Sequence, residues 1–212
     1  MSATNQASAS KTGRHECILI SGLSGCGKTT VGRKLAAILP NAIFIDGDQF
    51  YLKEKPKVIL SDGSAVSNWD CAEAIDWGAL NAGARAALED SDIVLATFLP
   101  LVDRLKFPIT CHVRLLTAPT GLPPQTEIQR CLAARAAAKG FETEQKRARD
   151  ELVVREVVYP AHVAVREMHP ADLVVNTYGA DGARRPVGVI AAALSLSLML
   201  WRPRQQPRAG PK

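Results

Sequence analysis

No two of the five cysteines form a C-x-x-C pair, and the four histidines are not patterned with them. This argues against a zinc site or a disulfide framework and fits a reducing, cytoplasmic setting. Acid is missing at both ends. Residues 1–15 carry Lys11 and Arg14, and residues 202–212 carry Arg202, Arg204, Arg208 and Lys212, with no Asp or Glu in either stretch. Setting aside those six cations takes the net charge of +5 to −1 for the body. A basic nucleic-acid surface is therefore not expected there. The ends read as disordered tails, 1–15 and 202–212, around one domain spanning 16–201. No apolar leader opens the chain, and its acid-poor start lacks the amphipathic Arg-rich helix of a transit segment. The apolar stretch Val187 to Trp201 falls short of the roughly 20 residues of a membrane span. A buried terminal helix is expected instead. No internal repeat is visible.

Residues 22–29 read Gly-Leu-Ser-Gly-Cys-Gly-Lys-Thr, the phosphate-binding pattern G-x-x-x-x-G-K-[ST]. The glycines let the backbone curl so that N–H groups point inward at phosphate oxygens. Lys28 can reach β- and γ-phosphates, and the Thr29 hydroxyl can hold Mg²⁺. The flanks agree. Residues 17–21 form a short apolar run, as in a buried parallel strand. Residues 28–39 follow at helical spacing, with Val31, Leu35, Ile38 and Leu39 on one face. A chance match in a glycine-containing turn is the alternative. Cys26, beside Lys28 and a helix start, is placed where a thiolate would be stabilised. The favoured reading is a small residue that merely fits.

Further strands are expected at 42–46, 92–99, 111–116 and 172–176, and helices at 72–89, 124–139, 145–168 and 187–200. Residues 117–124 read as a loop. Such alternation implies an α/β fold, a parallel sheet with helices on both faces. Ligands of these sheets gather beyond the C-terminal strand ends. There the second strand runs into Asp46-Gly47-Asp48-Gln49-Phe50-Tyr51. A phosphoryl-transfer site needs a group to orient the acceptor hydroxyl and oxygen ligands for Mg²⁺, and Asp48 suits both. Ordinary turn chemistry is the plainer reading.

Trp69-Asp70 precedes a helical pattern. Asp70 suits an N-cap, or equally a carboxylate gripping a ribose or sugar diol. Trp69 and Tyr51 could stack on a planar base. Arg130 and Arg135 open the first helix after the fourth strand, followed by Lys139, Lys146, Arg147, Arg149 and Arg155. They suit a lid over a transferring phosphoryl group, or a solvated helix surface.

Together these regions resemble the nicotinamide riboside kinase and uridine kinase branch of the P-loop kinases, loosely from residue 16 to 177. The resemblance implies the three-layer P-loop kinase fold with a small lid, and ATP and Mg²⁺ as cofactors. It implies an ATP loop of Gly22, Leu23, Ser24, Gly25, Cys26, Gly27, Lys28, Thr29 and Thr30. Asp48-Gln49-Phe50-Tyr51 is similar to the family's Asp-x-Phe-[Phe/Tyr], which makes Asp48 the catalytic base near Mg²⁺ and places Phe50 and Tyr51 at the acceptor. Trp69-Asp70 is similar to the aromatic–Asp pair whose Asp binds ribose hydroxyls. Arg130 and Arg135 share the spacing of the outer arginines of the lid cluster, implying contacts to ATP and to the acceptor. Asn176 falls where the family contacts adenine.

The sequence departs from that pattern at three places. Ala96 stands where the third strand usually carries an acid. Gln49 replaces a second Asp. Residues 131–134 of the lid lack basic groups. The expectation is a kinase phosphorylating the 5′-hydroxyl of a nucleoside-like molecule, nicotinamide riboside first, with no nucleic-acid or membrane partner. Kinases of the gluconate or adenylylsulfate type, suggested by Asp46-Gly47-Asp48, and a nucleotide-binding regulatory protein are the alternatives.

Overall fold

The computed structural model describes residues 15–97, 101–119, 121–141 and 143–200. Both expected tails lie essentially outside these residues, as does the end of the expected strand 92–99. Strand β1 (Cys17–Gly22) is buried at every position, as an apolar run with helices on both sides must be. Four more strands join it: β2 (Ala42–Asp46), β5 (Asp92–Ala96), β6 (Cys111–Leu116) and β7 (Leu173–Asn176). The sheet is parallel throughout, in the order β2-β5-β1-β6-β7. A separate antiparallel hairpin pairs β3 (Lys57–Ile59) with β4 (Ala65–Ser67).

Period-two alternation divides the core into two layers. Ile18 and Ile20 of β1, with Val113 and Leu115 of β6, face helices α1 (Lys28–Ile38) and α6 (Val187–Leu200). Cys17 and Leu19 face the opposite way. They meet α2 (Trp77–Asp90), α3 (Pro124–Lys139) and the helical run through α4 (Glu144–Val153) and α5 (Tyr159–Met168). The result is three layers, helices–sheet–helices.

Four local expectations are corrected. Helix α2 starts at Trp77, not at 72. Residues 72–74 make a 3₁₀ turn, Ile75 is extended, and Asp76 caps α2 by accepting the Ala79 N–H at 2.9 Å. The expected helix 145–168 is two α-helices joined by a π turn at Val154–Val158. Pro160 supplies the reason: its missing N–H and bulky ring disrupt the i→i−4 ladder, and the Tyr159 N–H reaches back to the Val154 carbonyl instead. On α1, Ile38 is exposed, while Gly32 and Ala36 join Val31 and Leu35 in the core. Glycine at 32 admits the Phe44 ring, which a β-carbon would meet at 2.6 Å. Helix α6 is half-buried rather than buried. Ile190, Ala191 and Leu194 pack inward while Val189, Leu196 and Met199 face out. Among the described residues no helix is long and apolar enough to cross a membrane.

Candidate functional site

Beyond the C-terminal end of β1 lies a cavity of about 990 Å³. One wall is the loop between β1 and α1, contributed by Ser24, Gly25, Gly27, Lys28, Thr29 and Thr30. The loop needs glycine at two points. Gly25 and Gly27 have φ of 79° and 98°, and a β-carbon on Gly25 would strike the Ala134 methyl at 2.5 Å. The side chains of Leu23 and Cys26 turn away into the core. Burial pushes the Cys26 thiol up, against the opposing pull of Lys28 and Arg184, so Cys26 is a small residue that fits rather than a thiolate. The Lys28 ammonium donates to the Leu23 carbonyl at 3.2 Å. Behind the loop, Ser21 and His112 share a buried hydrogen bond of 2.7 Å. Burial and the nearby Arg114 bring that histidine down to about 4 and keep it neutral.

Opposite the loop stand two carboxylates. Asp48 sits in a 3₁₀ turn that Asp46 caps by accepting the Asp48 N–H at 3.3 Å. Asp46 itself pairs with Arg33 at 3.4 Å. Burial pushes Asp48 up from the usual carboxylate range, Lys28 pulls it back, and Asp46 adds repulsion. Asp70 lines the same cavity, and burial lifts it to about 6 although Arg135 and Lys28 favour its charge. Asp70 caps no helix. Asp76 holds that position, which removes the N-cap reading.

Tyr51 and Trp69 line the cavity edge-to-face, centroids 5.1 Å apart, and the Lys55 ammonium lies 3.7 Å from the Trp69 ring centre. Phe50 is not with them. It packs into the core near Gly83 of α2 and does not line the cavity. Ala96 is buried in the layer shared with α1, beside Gly32.

The third wall comes from α3 and α4. Arg135 forms a two-pronged ion pair with Asp150, at 2.8 and 2.6 Å, and reaches the Ser24 hydroxyl at 3.3 Å. Lys139 adds a third bond to Asp150 at 2.9 Å, and Arg149 donates to the Ala65 carbonyl of the hairpin. Arg130 is elsewhere. Its guanidinium lies 4.2 Å over the Tyr178 ring and donates to the Thr117 carbonyl. Five residues along a helix turn it roughly 140° from Arg135, and the two guanidiniums have different partners. Asn176 ends β7, with its side-chain oxygen buried and without a hydrogen-bond partner among the described residues, and it too is absent from the cavity lining.

Arg184 escaped the sequence reading. It comes from the segment after β7, donates to the Gly25 carbonyl at 3.3 Å, and lines the cavity. The rule that ligands collect beyond strand ends points to that segment, but it does not single out one arginine.

The chain's oxygens suit Mg²⁺ bound with nucleotide phosphates. Thr29 and Asp48 face one cavity, and Mg²⁺ in such sites takes few protein oxygens, filling the rest with phosphate and water.

No protein-family model matches the sequence, and no curated protein does. Among solved structures it is similar to the tunicamycin resistance protein of Deinococcus radiodurans, at 16% identity and a TM-score of 0.51, covering 87% of this chain and 96% of that one. It also overlaps shikimate kinase from Acinetobacter baumannii, at 23% identity and a TM-score of 0.40, covering 88% of this chain and 93% of that one. A possible uridine kinase from Bacillus stearothermophilus overlaps at 17% identity and 0.46, covering 78% and 91%. The parallel five-stranded sheet, its flanking helices and the phosphate-loop pattern after β1 give this chain a three-layer α/β fold, which the first of these structures shares.

Proposed function

We propose that this protein transfers the γ-phosphoryl group of ATP to a hydroxyl of a small molecule, and that the acceptor is nucleoside-like, nicotinamide riboside being the first candidate. One observation carries the reading: the phosphate loop and two carboxylates, Asp48 and Asp70, line a single cavity, with Lys28 near enough to act on both acids. The Gly25 and Gly27 turns present loop amides to the phosphates, and Lys28 neutralises them. Arg184, reaching the loop from the segment after β7, joins on the same side. Mg²⁺, held by Thr29 and Asp48 with the phosphates, would screen the charge that develops during transfer.

Asp48 orients the acceptor hydroxyl and takes its proton. Its upward-shifted pKa suits that work, because a base is most effective when its pKa approaches the working pH. Asp70 grips the acceptor's diol, with Tyr51 and Trp69 against its base. Arg135 stands over the transferring group, fixed by Asp150. Positioning and charge supply most of the acceleration.

A specific feature favours a second reading. Lys57 and Arg149 also line the cavity, on the hairpin side. They suit an acceptor that carries its own negative charge, as gluconate and adenylylsulfate do. Single-turnover ATP consumption with nicotinamide riboside, uridine, gluconate and adenylylsulfate decides. Turnover dependent on a nucleoside supports the first reading, and turnover dependent on an anionic acceptor supports the second. ATP binding without transfer to any of them would leave a nucleotide-binding protein.

A further inference from the structure

A second cavity, of about 370 Å³, lies on the sheet face opposite α1 and α6 and shares no lining residue with the first. Its polar wall is Arg114 of β6, Arg166 and Tyr159 of α5, and Glu127 of α3. Leu116, Leu122 and Val174 form an apolar wall.

The charges in this wall do not balance. Glu127 is engaged twice, by the Tyr159 hydroxyl at 3.1 Å and by Arg166 at 3.5 Å. Arg114 is only 6% exposed, yet among the described residues no carboxylate pairs with it. Its hydrogen bond goes to the His169 carbonyl. Arg166 is near enough to repel it, and burial and that repulsion together push its guanidinium down from the ordinary range. A buried charge with no opposite charge beside it is costly, and a strand that only needed packing would carry an apolar residue here. The positive end of α3 also opens onto the cavity at Pro124. The volume falls in the lower part of the range for small-molecule sites.

We propose that this cavity is a second ligand site, for a small organic anion whose carboxylate or phosphate head sits between Arg114 and Arg166 and whose apolar body lies on Leu116, Leu122 and Val174. The proposal stands apart from the phosphoryl-transfer reading. The anion supplies the counter-charge that Glu127 cannot, and α3 links its site to Arg135 in the main cavity.

The test is a methyl-NMR titration of the full chain with phenyl phosphate, benzoate and, as a neutral control, benzyl alcohol. Saturable shifts at the Leu122 and Val174 methyls are expected with an anion and not with the alcohol. The tighter of the two anions names the head group. Arg166→Gln should weaken binding about tenfold, the scale of losing one charge-assisted hydrogen bond. Arg114→Met should do the same, and if that variant does not fold, Arg166→Gln decides alone. Lys28→Ala should leave this affinity unchanged, which separates the site from the phosphate loop. Absence of saturation, equal response to benzyl alcohol, or indifference to Arg166→Gln would each overturn the proposal.

Discussion

The phosphate side and the lid side of the main cavity are built by different means. The phosphate side is one unbroken stretch, Gly22 to Thr30, whose shape comes from backbone turns at Gly25 and Gly27. The lid side is assembled from distant pieces: Arg135 and Lys139 on α3, Asp150 on α4, and the β3–β4 hairpin held by Arg149. Ion pairs, not a turn, give it shape. Damage on the first side should therefore remove chemistry and spare the fold. Damage on the second should weaken the fold and the chemistry together.

Lys28→Ala is the strongest test of the first half of that contrast. Turnover should fall by about 10³-fold or more, the scale of removing a preorganised charge from a transferring group. The melting temperature should hardly move, because the ammonium faces the cavity and not the core. Wild-type turnover would sink the phosphate-loop assignment.

Asp150→Ala is the corresponding break on the lid side. Asp150 is 7% exposed and neutralises two cations. Removing one partner of a buried pair costs about 3 kcal/mol, or a drop on the order of 10 °C in a domain of this size. The sign with pH is definite. Burial alone would raise the pKa of Asp150, but the hydrogen bonds from Arg135 and Lys139 outweigh it and hold the group below the usual range. Its stabilisation is present above the ordinary carboxylate pKa and is lost as the pH falls through the depressed folded value. Melting curves of wild type and variant should diverge at neutral pH and converge in acid. Parallel curves would remove the ion pair from the account of the lid.

The same contrast explains what could be read before any coordinates. The loop and the strands of the main sheet were legible because each is local: a run of apolar residues, then glycines and Lys-Thr at fixed spacing. The β3–β4 hairpin, with strands of three residues each, was not expected. Asp48 was legible because it follows a strand end directly. The partnership of Arg135 with Asp150 was not, since nothing in the spacing pairs those two positions among so many charges. Nor could spacing alone tell that Arg130 and Arg135 occupy different faces of α3, with Arg130 beside Tyr178. Asp70 was left between two roles until Asp76 proved to be the cap, a distinction that rests on one extended residue, Ile75.

Asp48→Asn keeps shape and removes the base. kcat should fall by roughly 10²-fold, while nucleotide affinity changes much less apart from its Mg²⁺-dependent part. The wild-type rate should itself decline as the pH falls through the raised pKa of Asp48. An unchanged kcat in the variant would hand the role to Asp46 and leave Asp48 a turn residue.

The smallest expected effect is the most discriminating, because it has opposite signs under the two roles once open to Asp70. Its pKa in the folded protein is about 6, above that of an unfolded chain, chiefly through burial. Between about pH 4 and 6 the folded state holds a proton that the unfolded state has released, so stability falls as the pH rises through that window. At neutral pH the ionised carboxylate then weakens the fold by on the order of 2 kcal/mol. Asp70→Asn should accordingly melt higher than wild type at pH 7, with the gain vanishing below pH 4. Its acceptor KM should rise about tenfold or more through loss of charge-assisted hydrogen bonds, with the ATP KM preserved. Asp76→Ala, which removes the true cap, should melt lower by about 1 kcal/mol and change neither KM. If instead Asp70→Asn melts lower at pH 7 and binds the acceptor as before, Asp70 is a structural residue, and the acceptor side of the cavity must be sought at Lys57 and Arg149.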